Sequence, residues 1–108
     1  MLVAGCSGDP SGGSLDGKVI FSSMCATCHG PTGKPEAALA ARLHVRDLTD
    51  PAVRARLTPA SVEHQVREGS ENKLMPSFEA VLKDAQIKAV AAWVTNPAFT
   101  KRGQVPLR

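Results

Sequence analysis

Two cysteines separated by two residues, with a histidine directly after the second, constrain this chain more than any other feature. The segment reads Cys25-Ala26-Thr27-Cys28-His29. Attachment to a porphyrin requires two thiols that reach two vinyl groups on one edge of the macrocycle, and a histidine that turns under the iron. Two intervening residues at a helix terminus provide that spacing. The segment therefore predicts one c-type haem bound covalently through Cys25 and Cys28, with His29 as an axial iron ligand.

Three other chemistries use paired cysteines. A thioredoxin-like dithiol lies at the start of a helix in a βαβ unit, whereas this pair follows a predicted helix and no strand pattern is present. A structural zinc site needs four ligands, and Cys6, in an N-terminal arm, is a poor candidate for one of them. A structural disulfide is the third alternative. The adjacent histidine and the helical context favour the haem.

Composition is compatible with a buried cofactor. The chain has 108 residues, which suits one domain, and only three Phe and one Trp, so its protein core is thin. A macrocycle would supply the missing apolar surface. The formal charge of +3 comes from Lys101, Arg102 and Arg108, because the other charges cancel. Without a basic stripe interleaved with aromatic residues, nucleic-acid binding has no support.

The chain divides into a Gly-rich polar arm (residues 1–14), a domain (15–96) and a basic tail (97–108). Ser14 and Asp84 are the predicted N-caps of the first and last helices. No stretch alternates with the period of a strand, so the predicted fold class is all-α with four or five helices. Helices are predicted over residues 15–24, 36–43, 59–68 and 84–95.

Three groups of residues follow one another along residues 15–96: Gly17 and Phe21 before the Cys-x-x-Cys-His segment; Gly69 followed by Met75-Pro-Ser-Phe78; and Ile87, Val90 and Trp93. In these groups the chain resembles small class I bacterial cytochromes c. The resemblance implies helices wrapped around one covalent haem, with the first and last helices crossing nearly at right angles. It places Gly17 and Phe21 against Trp93.

The same resemblance implies that Met75 is the second axial ligand. A thioether is soft, favours Fe(II) and raises the reduction potential. Met24 adjoins the attachment segment on the His29 side and is badly placed for this role. His44 and His64 are alternatives that would give a bis-histidine haem, and His44, before an irregular loop, is the stronger of the two.

Further contacts to the haem are expected from two groups of residues. His29 should donate its other ring nitrogen to a backbone carbonyl; Pro31 and Pro35 are available, and Pro35 is preferred. Arg42, Arg46 and Lys73 are candidates for binding the haem propionates.

The resemblance implies a single-electron carrier and not an enzyme. Its partners would be reductases, oxidases or multihaem cytochromes, met through transient contacts by a monomer. The alternative is a haem enzyme or gas sensor with an open sixth position, which requires that Met75 does not bind iron.

Cys6 adds an expectation about location. Leu2-Val3-Ala4-Gly5-Cys6 resembles a bacterial lipoprotein processing box, although a charged region and a long apolar core are missing before it. The resemblance therefore implies a membrane tether through Cys6. Covalent haem attachment in bacteria occurs outside the inner membrane, so a periplasmic or envelope-anchored location on the non-cytoplasmic side is expected.

Overall fold

The structure is a computed structural model that describes residues 9–104, with side chains to Lys101. Cys6, Arg108 and the Arg102 side chain, on which several expectations rest, lie outside it. Residues 9–104 contain helices and no strand, which confirms the all-α prediction. The helices are α1 (Gly17–Ile20), a π-helical segment (Phe21–Cys25), α2 (Ala26–His29), α3 (Ala37–Leu43), α4 (Pro51–Arg54), α5 (Pro59–Glu68), α6 (Asp84–Thr95) and α7 (Pro97–Gln104).

The first helix runs without interruption from α1 through the π-helical segment into α2. The Asp16 side chain, not that of Ser14, caps it by accepting from the Lys18 N–H at 2.9 Å. In the π-helical segment the Ala26 N–H donates to the Phe21 carbonyl, one residue further back than in an α-helix. The extra residue rotates all following side chains by about 100° around the axis. Such bulges are frequent at functional sites, and this one lies directly before the attachment segment.

Helices α1 and α6 meet at Gly17. A Cβ atom on Gly17 would lie 2.3 Å from the Ala89 carbonyl oxygen and 2.7 Å from the Trp93 Cβ. No side chain fits at these distances, so glycine allows the two backbones to touch. The expected contact of Gly17 with Trp93 is confirmed.

Phe99, in the segment expected to be a tail, completes the core. It lies on α7, is fully buried, and stacks edge-to-face on Phe21 (5.1 Å between centroids) and on Trp93 (5.7 Å). Edge-to-face pairs of this kind each add about 0.5–1.5 kcal/mol beyond the burial of their area. Phe99 therefore joins the first helix to the last predicted one. Helices α4 and α7 account for the elements that the sequence did not predict.

Residues 9–14, expected to be part of a flexible arm, are held against α6. The Asp9 carboxylate accepts from the Ser11 N–H and hydroxyl, from the Gly13 N–H, and from Gln86 Nε2 at 2.7 Å. Gln86 is 2% exposed. It also donates to the Ser14 carbonyl, and its Oε1 accepts from the Lys83 N–H at the start of α6. The expectation that Asp84 is the N-cap is wrong, because Lys83 holds that position and Gln86, the third residue of the helix, caps the Lys83 N–H.

These hydrogen bonds make the contribution of Asp9 to the stability of the fold dependent on pH. The bonds from Ser11, supported by Gln86 and Gly13, lower the pKa of Asp9 to about 2. A carboxyl whose pKa is lower in the folded state stabilises the fold above its unfolded pKa and loses that contribution as pH falls to its folded pKa. We expect wild type to lose more stability between about pH 4 and pH 2 than Asp9→Asn does. Urea unfolding followed by circular dichroism across that range measures the difference, and parallel curves would contradict it.

Among the helices of residues 9–104, none combines the length and the apolar character of a membrane span.

Candidate functional site

The two cysteines of the attachment segment lie half-buried on consecutive turns, Cys25 at the end of the π-helical segment and Cys28 in α2. Burial, with the nearby Cys28 adding to it, raises the pKa of the Cys25 thiol to about 12. A dithiol oxidoreductase needs the opposite, a cysteine whose pKa is lowered so that the thiolate can attack. The environment of Cys25 therefore does not favour the dithiol alternative.

His29 ends the same helix with a fixed ring orientation. Its Nδ1 lies 3.0 Å from the Arg46 carbonyl oxygen. Because a carbonyl only accepts, Nδ1 carries the proton and Nε2 keeps its lone pair free. Burial lowers the pKa of His29, which favours the neutral ring that binds metal ions. The expectation that Pro35 provides this carbonyl is wrong, because Arg46 does so from the loop between α3 and α4.

The loop that carries the Arg46 carbonyl is fixed through the two residues that follow Arg46. The Leu48 N–H donates to the Gly33 carbonyl at 2.8 Å, and Asp47 pairs with Lys34 at 3.3 Å. Gly33 has φ +95°, and a Cβ atom there would lie 2.6 Å from the Phe99 ring. The acceptor of His29 is thereby tied to the aromatic cluster of the core.

Arg54 secures the same loop from α4. Its Nη1 donates to the carbonyls of Val94 (2.6 Å) and Leu48 (3.3 Å), and its Nη2 to that of Asn96 (3.2 Å). The guanidinium also lies over the Phe99 ring, 5.3 Å from its centroid. Arg54 therefore satisfies carbonyls at the end of α6 that have no partner within their own helix.

Replacement of Arg54 by methionine keeps the apolar stem and removes these bonds. We expect the free energy of unfolding to fall by about 2 kcal/mol, because the carbonyls of the buried residues Val94 and Leu48 lose their donor. Thermal unfolding of the holoprotein measures this. Arg42→Met is the control, since Arg42 is exposed on α3; equal losses in the two variants would contradict the role of Arg54.

Met75 is carried by a loop that follows α5 and closes on itself. Helix α5 has the predicted bounds; Thr58 and Ser61 form a capping box at its start, and Gly69 directly follows its last residue. The Ser70 N–H donates to the Met75 carbonyl at 2.9 Å, and the Met75 N–H donates to Ser70 Oγ at 3.0 Å. Gly69 has φ +77°, and a Cβ there would lie 2.6 Å from the Met75 carbonyl oxygen. The loop therefore needs glycine at this position.

A cavity of about 530 Å³ brings the predicted residues together. Cys25, Cys28, His29 and Met75 all line it, although Met75 comes from a distant part of the sequence. This volume lies within the range of about 300–1,000 Å³ found for small-molecule and cofactor sites. Most of the other wall residues are apolar, among them Phe21, Leu48, Val62, Val66, Phe78 and Val90.

The charged residues of the cavity wall are all positive. Arg46 and Arg56 line the cavity, and within the described part of the chain no aspartate or glutamate does so. Of the three propionate candidates, Arg46 lines the wall, whereas Arg42 and Lys73 do not. Arg56, which the sequence did not single out, takes their place. An apolar cleft with two guanidinium groups suits a flat apolar ligand that carries anionic groups at one end.

The structure distinguishes between His44 and His64, the two alternatives to Met75 as second axial ligand. Both residues are exposed, but His44 lines the cavity, with a left-handed backbone (φ 56°), whereas His64 does not line it. In residues 9–104, no three His, Cys, Asp or Glu side chains converge on one point as a metal site of that type requires.

Comparison with known proteins identifies the family. The family described as "Cytochrome C oxidase, cbb3-type, subunit III" matches residues 14–94 of the chain. The chain belongs to this family. It is a small class I c-type cytochrome. The cytochrome is 29% identical to cytochrome c6 of Cladophora glomerata over 87 residues, which cover 81% of this chain and 91% of that protein. It also resembles the solved KustC0563 c-type cytochrome, with TM-score 0.66 and 29% identity over 74% of this chain and 94% of that one.

Membership of this family means that the cytochrome carries covalently bound haem c. The residues of the cavity suit that group. Two thiols lie on consecutive turns of one wall, an imidazole with a free Nε2 lies beside them, and a thioether comes from a separate loop. Apolar side chains would face the macrocycle, and Arg46 and Arg56 would meet its carboxylates. Among the described residues, no aspartate or glutamate lines the wall to repel them.

Sequence reasoning missed several contributors to the site. The Arg46 carbonyl gives no side-chain signal, because any residue type can provide a backbone oxygen. Ser70 and Asn72, which hold the Met75 loop, looked like ordinary loop residues. Phe99 and Arg54 gave only weak signals in the sequence: an aromatic residue after Asn96-Pro97 and an arginine after Asp50-Pro51.

Proposed function

We propose that this cytochrome is a single-electron carrier whose haem is attached to Cys25 and Cys28, with His29 and Met75 as axial ligands. The observation that carries the proposal is the one cavity that these four side chains share. The electron-carrier function itself agrees with the family and with the similarity to cytochrome c6.

Each residue of the site has a separate role in the proposed function. Haem c, when bound, supplies the one-electron iron couple. His29, held neutral and with its ring fixed by the Arg46 carbonyl, presents Nε2. Met75 presents a neutral sulfur that favours reduced iron and raises the potential. The apolar wall excludes water, and both ligands come from hydrogen-bonded segments, so neither has to move when the charge changes.

Met75 is preferred to His44 as the second ligand because of where each segment is fixed. His44 lies two residues before Arg46, and the Arg46 carbonyl is bonded to the His29 ring itself. That places the His44 segment against the first ligand. Met75 comes from a loop fixed to the end of α5, which supports an approach from the other side of the haem.

The family and the proposed electron-carrier function also support an inference about partners and location. We infer transient contacts with redox proteins such as reductases, oxidases or multihaem cytochromes, on the non-cytoplasmic side of a membrane. The name of the matching family includes an oxidase subunit, which supports an oxidase among these partners. Leu74, beside Met75, is 46% exposed and offers an apolar contact close to the cavity.

The decisive experiment is absorption spectroscopy of the protein expressed with haem maturation machinery. The pigment should remain bound under denaturing conditions, and the oxidised protein should show the near-infrared thioether-to-iron(III) band. If that band is absent and carbon monoxide binds readily to the reduced protein, the carrier function fails. An open sixth position, as in a haem enzyme or gas sensor, would then be supported.

A further inference from the structure

The loop from Gly69 to Ser77 holds Met75 through the hydroxyl of a single serine. Ser70 bonds to both sides of the Met75 backbone, since its N–H donates to the Met75 carbonyl and its Oγ accepts from the Met75 N–H. The first hydrogen bond, from the backbone N–H of residue 70, could be made by any residue except proline. The second, from the Met75 N–H to Ser70 Oγ, exists only because the side chain carries an oxygen.

Asn72 fixes the direction of that oxygen. Ser70 Oγ donates to Asn72 Oδ1 at 2.6 Å, and the same Oδ1 accepts from the Leu74 N–H at 3.0 Å. With its own proton given to Asn72, the hydroxyl turns a lone pair toward the Met75 N–H. Two side chains thereby order the backbone of residues 74 and 75 from inside the loop.

Among the residues that the structure describes, no other side chain is hydrogen-bonded to the Met75 backbone and could replace this one. Gln65 Nε2 donates to the Gly69 carbonyl at 2.7 Å, and the Ser77 hydroxyl donates to the Arg67 carbonyl. Both fix the loop to α5, on either side of Met75. They hold its ends, whereas Ser70 and Asn72 hold its tip.

We infer that Ser70, oriented by Asn72, is a positioning residue for Met75, the proposed second axial ligand. Its hydroxyl fixes the Met75 backbone and so determines how easily an external ligand displaces the Met75 sulfur from iron. This inference rests on the proposed ligation by Met75. Ser70 lines the cavity, but its hydroxyl is bonded to the Met75 N–H and to Asn72 Oδ1, and its effect reaches the iron through the backbone of residue 75.

A matched pair of serines in the same loop tests the inference. Ser70→Ala removes the bond to Met75, and Ser77→Ala removes one bond of the same loop to α5. Each loses one hydroxyl, so a general loss of stability affects both alike. The measurement is the apparent affinity of the oxidised holoprotein for imidazole, read as the loss of the near-infrared thioether band during titration.

We expect Ser70→Ala to bind imidazole about 3- to 10-fold more tightly than wild type, the effect of one lost hydrogen bond. Ser77→Ala should stay within about twofold of wild type, well below a typical lost bond. Ser70→Thr, which keeps the hydroxyl, should return the affinity to the wild-type value, and Asn72→Ala should give a smaller increase than Ser70→Ala.

The outcomes separate the two proposals. If wild type shows no thioether band, ligation by Met75 fails and this inference fails with it. If wild type shows the band but Ser70→Ala and Ser77→Ala bind imidazole equally, ligation by Met75 stands and the positioning role of Ser70 is overturned. Failure of Ser70→Thr to restore the wild-type affinity also overturns it.

Discussion

Replacement of Met75 by leucine is expected to abolish the near-infrared thioether band and to open the iron to carbon monoxide. Leucine conserves volume, so the cavity wall changes little, but it provides no atom that binds iron. We expect the midpoint potential to fall by an amount on the order of 0.1–0.3 V, within the ~0.8 V that axial ligands span. The potential falls because the ligand that favours Fe(II) is lost. Spectroelectrochemical titration measures the potential, and carbon monoxide binding measures the open position.

Met24 is the matched control for this experiment. It lines the same cavity, beside the attachment segment, so Met24→Leu changes a methionine of the wall without touching the proposed ligand. Its spectrum should be that of wild type. If Met75→Leu keeps an unchanged spectrum while His44→Ala loses it, the second ligand is His44 and the haem is bis-histidine.

Substitution of Gly17 should destabilise the fold strongly, and more so with a larger side chain. A Cβ atom at this position would lie 2.3 Å from the Ala89 carbonyl oxygen, and a backbone atom cannot rotate away as a side chain can. Gly17→Ala should cost about 2 kcal/mol, within the range of 1–3 kcal/mol for overpacking and after the gain in helix propensity. For a domain of this size that lowers the melting temperature by roughly 10 °C. Gly17→Leu should not give a stably folded holoprotein.

Ala92→Leu is the control for added bulk on α6. Ala92 is exposed one turn along from Ala89, so leucine there meets solvent and should leave the melting temperature nearly unchanged. Calorimetry of the holoproteins makes the comparison. A Gly17→Ala variant as stable as wild type would show that the helices can separate at this point without loss.

The chemistry of the site could be predicted because it depends on side chains with few interchangeable alternatives. The spacing of Cys25, Cys28 and His29 is specific by itself, and Met75 followed by proline stands out in a chain with three methionines. Helices α5 and α6 were predicted with their observed bounds, since Pro59, Gly69 and Asn96-Pro97 fix the backbone locally. The structure brings these residues to one cavity, although their roles toward the haem stay predictions.

What could not be predicted depends on the backbone or on distant contacts. The acceptor of His29 is a carbonyl, whose position depends on how the Leu48 N–H and Arg54 place the loop. Phe99 was placed in a tail because basic residues follow it, and only the packed core shows why an aromatic residue is needed there. The first helix was predicted to start too early, because Ser14 and Asp16 are both good caps and only one can fit Gly17 against α6.

The closed loop around Met75 has a consequence for how the folded protein opens. Its bonds run mostly between its own residues, such as the Lys73 N–H to the Ser70 carbonyl and the Leu74 N–H to Asn72. The contact of α1 with α6 shares none of them. Segments of this kind open as local cooperative units at a lower free energy than global unfolding. Amide hydrogens of residues 73–75 should therefore exchange together, and well before those of α6.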